Sequence, residues 1–180
     1  MDRATAVECA RLLNDLWWDI LAGDGLFQAL EEHKIPFRSE DHLGSVQRMV
    51  FFHLAMVLCK LAEFQRHYGR YVSGEYRLWL KELSVEVERR GLRDLRNKAI
   101  GHIIDKDQDA PLTGKRLDEM FQRAVDDDSE QFYRWMRNGK QPDDMTTVMG
   151  RVMWLRDEIM RQHLLQAADV GLQSASRPLA

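Results

Sequence analysis

The sequence predicts an all-α fold, a helical bundle of about five helices. Two observations predict it. Apolar residues recur at three- and four-residue steps through most of the chain, the period of one helix face. No segment alternates apolar and polar residues as a half-buried strand does, and there is no internal repeat or low-complexity tract. With 180 residues the chain has the bulk for one domain with a sizeable core. That domain is expected over residues 1–170, with the small-residue stretch 171–180 as a flexible C-terminal tail.

The first helix is expected from Arg3 to Ala22, with Ala6, Cys9, Leu13, Leu16, Trp17 and Ile20 as its apolar stripe. Gly23-Asp24-Gly25 supplies a stop signal. Leu26 to Lys34 adds a short helical turn, and Pro36 interrupts any continuation because proline lacks the N–H a helix needs. Ser39 suits the N-cap of a second helix running to about His67. Its stripe is Leu43, Val46, Val50, Leu54, Val57, Leu58, Leu61 and Phe64. Apolar over more than half its circumference, this helix belongs at the centre of the bundle.

Tyr68 to Gly74 is a connection. A third helix begins near Glu75, carries Leu78, Leu80, Leu83 and Val87, and runs to about His102–Ile104. Gly91 is either an interior glycine with a kink or the cap that ends one helix before a fresh one starts. Asp105 to Gly114 is a loop. A fourth helix spans Lys115 to Arg137 through Leu117, Met120, Phe121, Ala124, Phe132 and Trp135, with Asp126-Asp127-Asp128 as a candidate break. After a turn at Asn138 to Gln141, Pro142 is placed to open the last helix. That helix runs to about Ala168 and carries Val148, Val152, Leu155, Ile159 and Leu164.

The formal net charge is −3, so no overall basic field recruits nucleic acid. The charge is uneven. From Glu86 to His102 there are five Lys/Arg against three acids, and from Ile103 to Glu130 nine acids against four bases. A locally basic helix in an acidic chain suits a small phosphate site better than a long nucleic-acid track. Cys9 and Cys59 sit among apolar residues at helical spacing, as reduced core thiols do, and form neither a disulfide framework nor a metal site. The N-terminus lacks the pattern of a signal peptide. The apolar run Met49 to Leu61, broken by His53 and Lys60, is expected to be too short and too polar to span a membrane. A soluble, cytoplasmic protein is expected. His33, His42, His53, His67 and His163 are scattered, and no metal or cofactor motif occurs.

The segment that carries chemistry is Gly91 to His102. Leu92, Leu95, Ala99 and Ile103 place it on a helix, which also carries Arg96, the polar Asn97 and, six positions after the arginine, His102. A guanidinium offers a fixed fork of donors for phosphate. An imidazole can take a proton near neutral pH. On an ideal helix six residues advance about 9 Å and rotate about 240°, so Arg96 and His102 point about 120° apart. They close on one phosphate only if Gly101 ends the helix, or if a second copy of the chain supplies the missing group across a two-fold axis.

Arg96-Asn97-Lys98-Ala99-Ile100-Gly101-His102 resembles the R-polar-x(3–5)-H motif of HEPN domains, small all-helical proteins of prokaryotic toxin–antitoxin and phage-defence systems. With Asp105-Lys106 following the histidine, the nearest branch is the AbiU2-like HEPN proteins. The specific likeness covers about a dozen residues, and Ile104 stands where many HEPN toxins carry a tyrosine. The resemblance implies a metal-independent endoribonuclease, a toxin or defence effector without a cofactor, with a composite site at a homodimer interface. Its substrate would be RNA, and a cognate antitoxin protein is a further partner. It makes His102 the general base and Arg96 the stabiliser of phosphoryl charge, with Asn97, Lys98 and Arg93 binding substrate. Two other readings stand beside it: a non-catalytic HEPN-like module that binds RNA, nucleotide or a partner, and a structural helical dimer in which Arg96 merely covers apolar surface.

Overall fold

The computed structural model describes residues 1–32, 39–72, 74–100, 104–105, 110–138, 141 and 143–171. Among them are seven α-helices: α1 Arg3–Glu31, α2 Glu40–Tyr68, α3 Gly74–Arg89, α4 Leu92–Leu95, α5 Gly114–Val125, α6 Ser129–Met136 and α7 Val148–Gln162. A π turn, Arg96–Ile100, continues α4, and a 3-10 turn, Ala167–Val170, follows α7. The fold is all-α. Among the described residues the one strand pairing is a two-residue antiparallel ladder, Ile104–Asp105 against Ala110–Pro111, inside the stretch expected to be a loop. Pro36, Pro142, His102 and the tail 172–180 lie outside the described residues.

The two longest helices form the centre. α1 packs against both α2 and α7, and α2 packs between α1 and α3. The predicted stripes are largely the buried ones. Ala6, Cys9, Leu13 and Ile20 of α1, with Val57, Leu58, Leu61 and Leu54 of α2, are fully enclosed. Each large aliphatic side chain removed from water contributes about 1.5–3 kcal/mol, so this seam dominates the folding free energy. Phe51 extends the seam outward through an edge contact with Phe121 of α5 and a tilted contact with Phe132 of α6.

Caps set several boundaries. Ser39 accepts from the His42 N–H at 3.2 Å, as expected for the start of α2. Thr113, Asp128 and Thr147 cap α5, α6 and α7 in the same way. The aspartate run does break the fourth predicted helix in two: Asp126 and Asp127 adopt φ of 62° and 59°, the left-handed conformation that aspartate tolerates better than most residues.

Three expectations are corrected. α1 does not stop at Gly23-Asp24-Gly25 but runs through it. A Cβ on Gly23 would stand 2.9 Å from a Leu54 methyl, so that glycine serves the close approach of α1 to α2 instead of a turn. Asp24 is buried and ion-paired with Arg137 at the end of α6. The last helix starts at Val148, where Thr147 caps it, and ends at Gln162. Leu78 and Leu164, assigned to apolar stripes, are exposed; Trp79, beside Leu78, is buried instead. His42–Tyr68, which contains the run Met49 to Leu61, is long and apolar enough to cross a membrane by length and composition alone. Half of its most apolar window is buried against the other helices.

Candidate functional site

The motif segment is not the end of one long helix. α3 stops at Arg89, and Gly91 takes φ +64°, the left-handed conformation in which glycine carries no steric penalty. This is the cap reading of Gly91. The chain then makes one turn of α-helix, Leu92–Leu95, whose two leucines are fully buried, before widening into the π turn Arg96–Ile100. π turns are rare, occur mostly as single-turn bulges, and collect at functional sites. Arg96, Asn97 and Lys98 all lie on this one. The angle calculated for an ideal α-helix therefore does not apply across the motif, because i→i+5 bonding spreads the side chains differently.

Arg96 turns toward α2. Its Nη1 donates to Glu63 Oε1 at 2.5 Å, and its Nε donates to Asn97 Oδ1 at 3.2 Å. The side chain keeps 28% of its surface exposed and Glu63 keeps 44%, so the pair lies at the edge of the bundle with water on one side. The hydrogen bond to Glu63 raises the Arg96 pKa further, and the group is a permanent cation. Cys59, which feels the charge of Arg96, is a fully buried free thiol. Burial pushes the Cys59 thiol up to about 11, although the positive charges of Arg96 and Arg93 pull the other way. A thiol so protonated is a packing group.

The other candidates divide. Asn97 is exposed and its Oδ1 accepts from Arg96 Nε. Arg93 lies on the same side, where its Nη1 meets Glu88 Oε1 at 2.5 Å. Lys98 faces elsewhere, into a narrow cleft toward α5 lined by Gly91, Asp94, Arg116, Glu119 and Arg123. His102 lies outside the described residues. The basic run is also less basic than its composition. Arg89 pairs with Glu86 and Asp126, Arg90 with Glu86, Arg93 with Glu88 and Arg96 with Glu63. These ion pairs replace the free positive patch that the charge count suggested.

Beside Glu63, between α1 and α2, opens a groove of about 300 Å³. Leu12, Leu16, Phe64 and Tyr68 give it an apolar lining, with Asp15, Asp19, Lys60, Glu63 and His67 as its polar residues. Among the described residues no three His, Cys, Asp or Glu side chains come together as metal ligands would. Glu63 and Glu88 are the site residues that sequence reasoning missed. Glu63 carried a usable signal, since it is an acid set in the otherwise apolar run Leu61-Ala62-Glu63-Phe64 of the central helix.

Fold and site together define an all-helical bundle with a half-exposed arginine–carboxylate pair seated on a π turn. No known family, curated protein or solved structure matches the chain.

Proposed function

We propose that this protein is a metal-independent endoribonuclease of the HEPN type, acting as a homodimeric toxin or defence effector. The observation that carries the reading is Arg96 itself: a partly exposed guanidinium on a π turn, inside the R-polar-x(4)-H motif of an all-helical chain, with its donors held by oxygen acceptors. A phosphate oxygen is an acceptor of the same kind, bound by the same fork.

In this mechanism His102 takes the proton of a ribose 2′-hydroxyl. The 2′-oxygen bonds to the adjacent phosphorus, the bond from phosphorus to the 5′-oxygen breaks, and the departing 5′-oxygen takes up a proton. The products are a 2′,3′-cyclic phosphate and a 5′-hydroxyl. Arg96 neutralises the charge that builds on the phosphoryl oxygens, and Asn97 orients its guanidinium through the Nε contact. Arg93, on the same side, adds attraction for the backbone. A general base and a charge-stabilising donor each contribute factors of about 100 or more, so Arg96→Ala and His102→Ala should each abolish cleavage.

The test is cleavage of a labelled RNA in the presence of EDTA by wild type and both variants, with the product ends analysed. Cyclic-phosphate ends that disappear in both variants are expected, and the matching DNA strand should stay uncut. Cleavage unchanged by His102→Ala overturns the mechanism. A wild type that binds RNA through Arg96 without cutting it is instead the non-catalytic module.

A further inference from the structure

We infer that Glu63 is a latch on the phosphate site. Its carboxylate occupies Arg96 while RNA is absent, and the scissile phosphate must displace it to bind. This rests on the reading of Arg96 as a phosphate-binding residue, and adds how access to that residue is controlled.

The geometry sets up an exchange. Glu63 Oε1 stands 2.5 Å from Arg96 Nη1, joining α2 to the π turn across 33 residues of chain. Nε is held by Asn97, so the donors that would grip a phosphate are already turned toward acceptors. Two anions crowded onto one guanidinium repel each other, which sets phosphate and Glu63 in competition for Arg96. The pair is open enough for that to happen, with Glu63 nearly half exposed.

The displaced carboxylate has somewhere to go. Lys60 and His67 lie three residues before and four residues after Glu63, a spacing that places all three on one face of α2. All three line the groove beside the site. Among the described residues Lys60 is held by a 3.3 Å contact to Asp19, with half of its side chain in water. Glu63 therefore chooses between Arg96 and the Lys60 side of the groove, a short side-chain swing apart, and phosphate at Arg96 biases that choice. Exposed arginine–carboxylate pairs shift equilibria by a factor of about two to five, and this is the size of the barrier the latch sets against RNA.

The experiment measures the affinity of a fluorescent 2′-O-methyl RNA oligonucleotide, which lacks the nucleophile, for full-length wild type, Glu63→Gln, Arg96→Ala and the double variant. Glu63→Gln should tighten Kd by about threefold or more, and the gain should vanish when Arg96→Ala is present. With cleavable RNA, KM should fall by the same factor and kcat should not fall. Glu63→Asp, which keeps the charge but shortens its reach, should tighten binding in the same direction and serves if the glutamine variant does not fold. Unchanged or weaker binding in Glu63→Gln overturns the latch, and a fall in kcat makes Glu63 a positioning residue for Arg96. Those results leave the phosphate reading intact wherever Arg96→Ala still weakens binding. Affinity indifferent to Arg96→Ala in both backgrounds overturns the phosphate reading and the latch with it.

Discussion

Arg90 and Arg96 lie six positions apart, and each donates to a glutamate at about the same distance, 2.6 Å to Glu86 and 2.5 Å to Glu63. Their surroundings are opposite. Arg90 exposes 9% of its side chain, gives Nη1 to the Ala124 carbonyl at 2.9 Å, and stacks its charge over Phe132 and Trp135 at 5.7 and 5.1 Å. Its glutamate is shared with Arg89, which also reaches Asp126. Arg96 has one carboxylate, one amide oxygen and an open side. The ion pair alone distinguishes nothing; the number of donors already closed by protein decides whether an arginine is a strut or a site. Arg90 fastens α3 to α5 and α6, while Arg96 holds a contact that an incoming anion can replace.

The comparison breaks most visibly through stability. Arg90→Ala removes a buried cation from Glu86, Ala124 and two aromatic faces and should cost about 3 kcal/mol in denaturant unfolding. Arg96→Ala removes a half-exposed pair and should cost about 1 kcal/mol or less, while abolishing the activity proposed for it. Equal losses would show that both arginines are struts.

Between them stands Gly91, the hinge that separates the two environments. Alanine there is forced into φ +64°, at a cost of about 1–2 kcal/mol. Its Cβ would also meet the Arg123 guanidinium at 3.1 Å, a group that donates to the Arg89 carbonyl. Gly91→Ala should therefore lower stability by that amount, as read from the unfolding midpoint at constant m-value. Under the proposed function it should also lower cleavage, because α4 and the π turn take their start from this residue. Loss of stability with full activity would separate the hinge from the site.

The sequence carried the helical class, the core stripes of α1 and α2, the Ser39 cap and the aspartate break, because each depends on near neighbours in the chain. It misplaced the glycines for one reason. Gly23 lies inside a helix because Leu54, from a helix starting beyond it, passes close by, and no local pattern records that approach. Gly91 has the converse role and looked the same. The site was legible as residue types at Arg96 and Asn97 and illegible as partners. Glu63 and Glu88 neutralise what the charge count took for a basic patch, and Glu63 is reached only by folding α2 against the motif segment. The π turn was equally hidden, since no residue in Arg96-Asn97-Lys98-Ala99-Ile100 demands one.

The smallest effect is a difference in acid response that isolates the strut. The hydrogen bond from Arg89, followed by that from Arg90, holds Glu86 below its ordinary value of 4.5, and the hydrogen bond from Arg89 holds Asp126 below 3.8. Both carboxylates bind protons less readily in the folded chain than in the unfolded one. Their contribution is therefore complete above the ordinary values and is lost as pH falls through the lowered ones. Asp24, raised by burial despite Arg137, acts with the opposite sign, contributing below its ordinary 3.8 and losing that contribution as pH rises. Glu86→Gln should unfold more easily than wild type at pH 7, by less than about 1 kcal/mol, since Glu86 is partly exposed and Arg89 keeps Asp126. The two proteins should converge as pH falls through the lowered Glu86 value, because protonation removes from the wild type what the glutamine never had. Thermal melts of both from pH 7 to pH 3 read this directly. A constant gap across that range would mean that Glu86 contributes through packing, and Arg90 would then be held by Ala124, Phe132 and Trp135 without its charge partner.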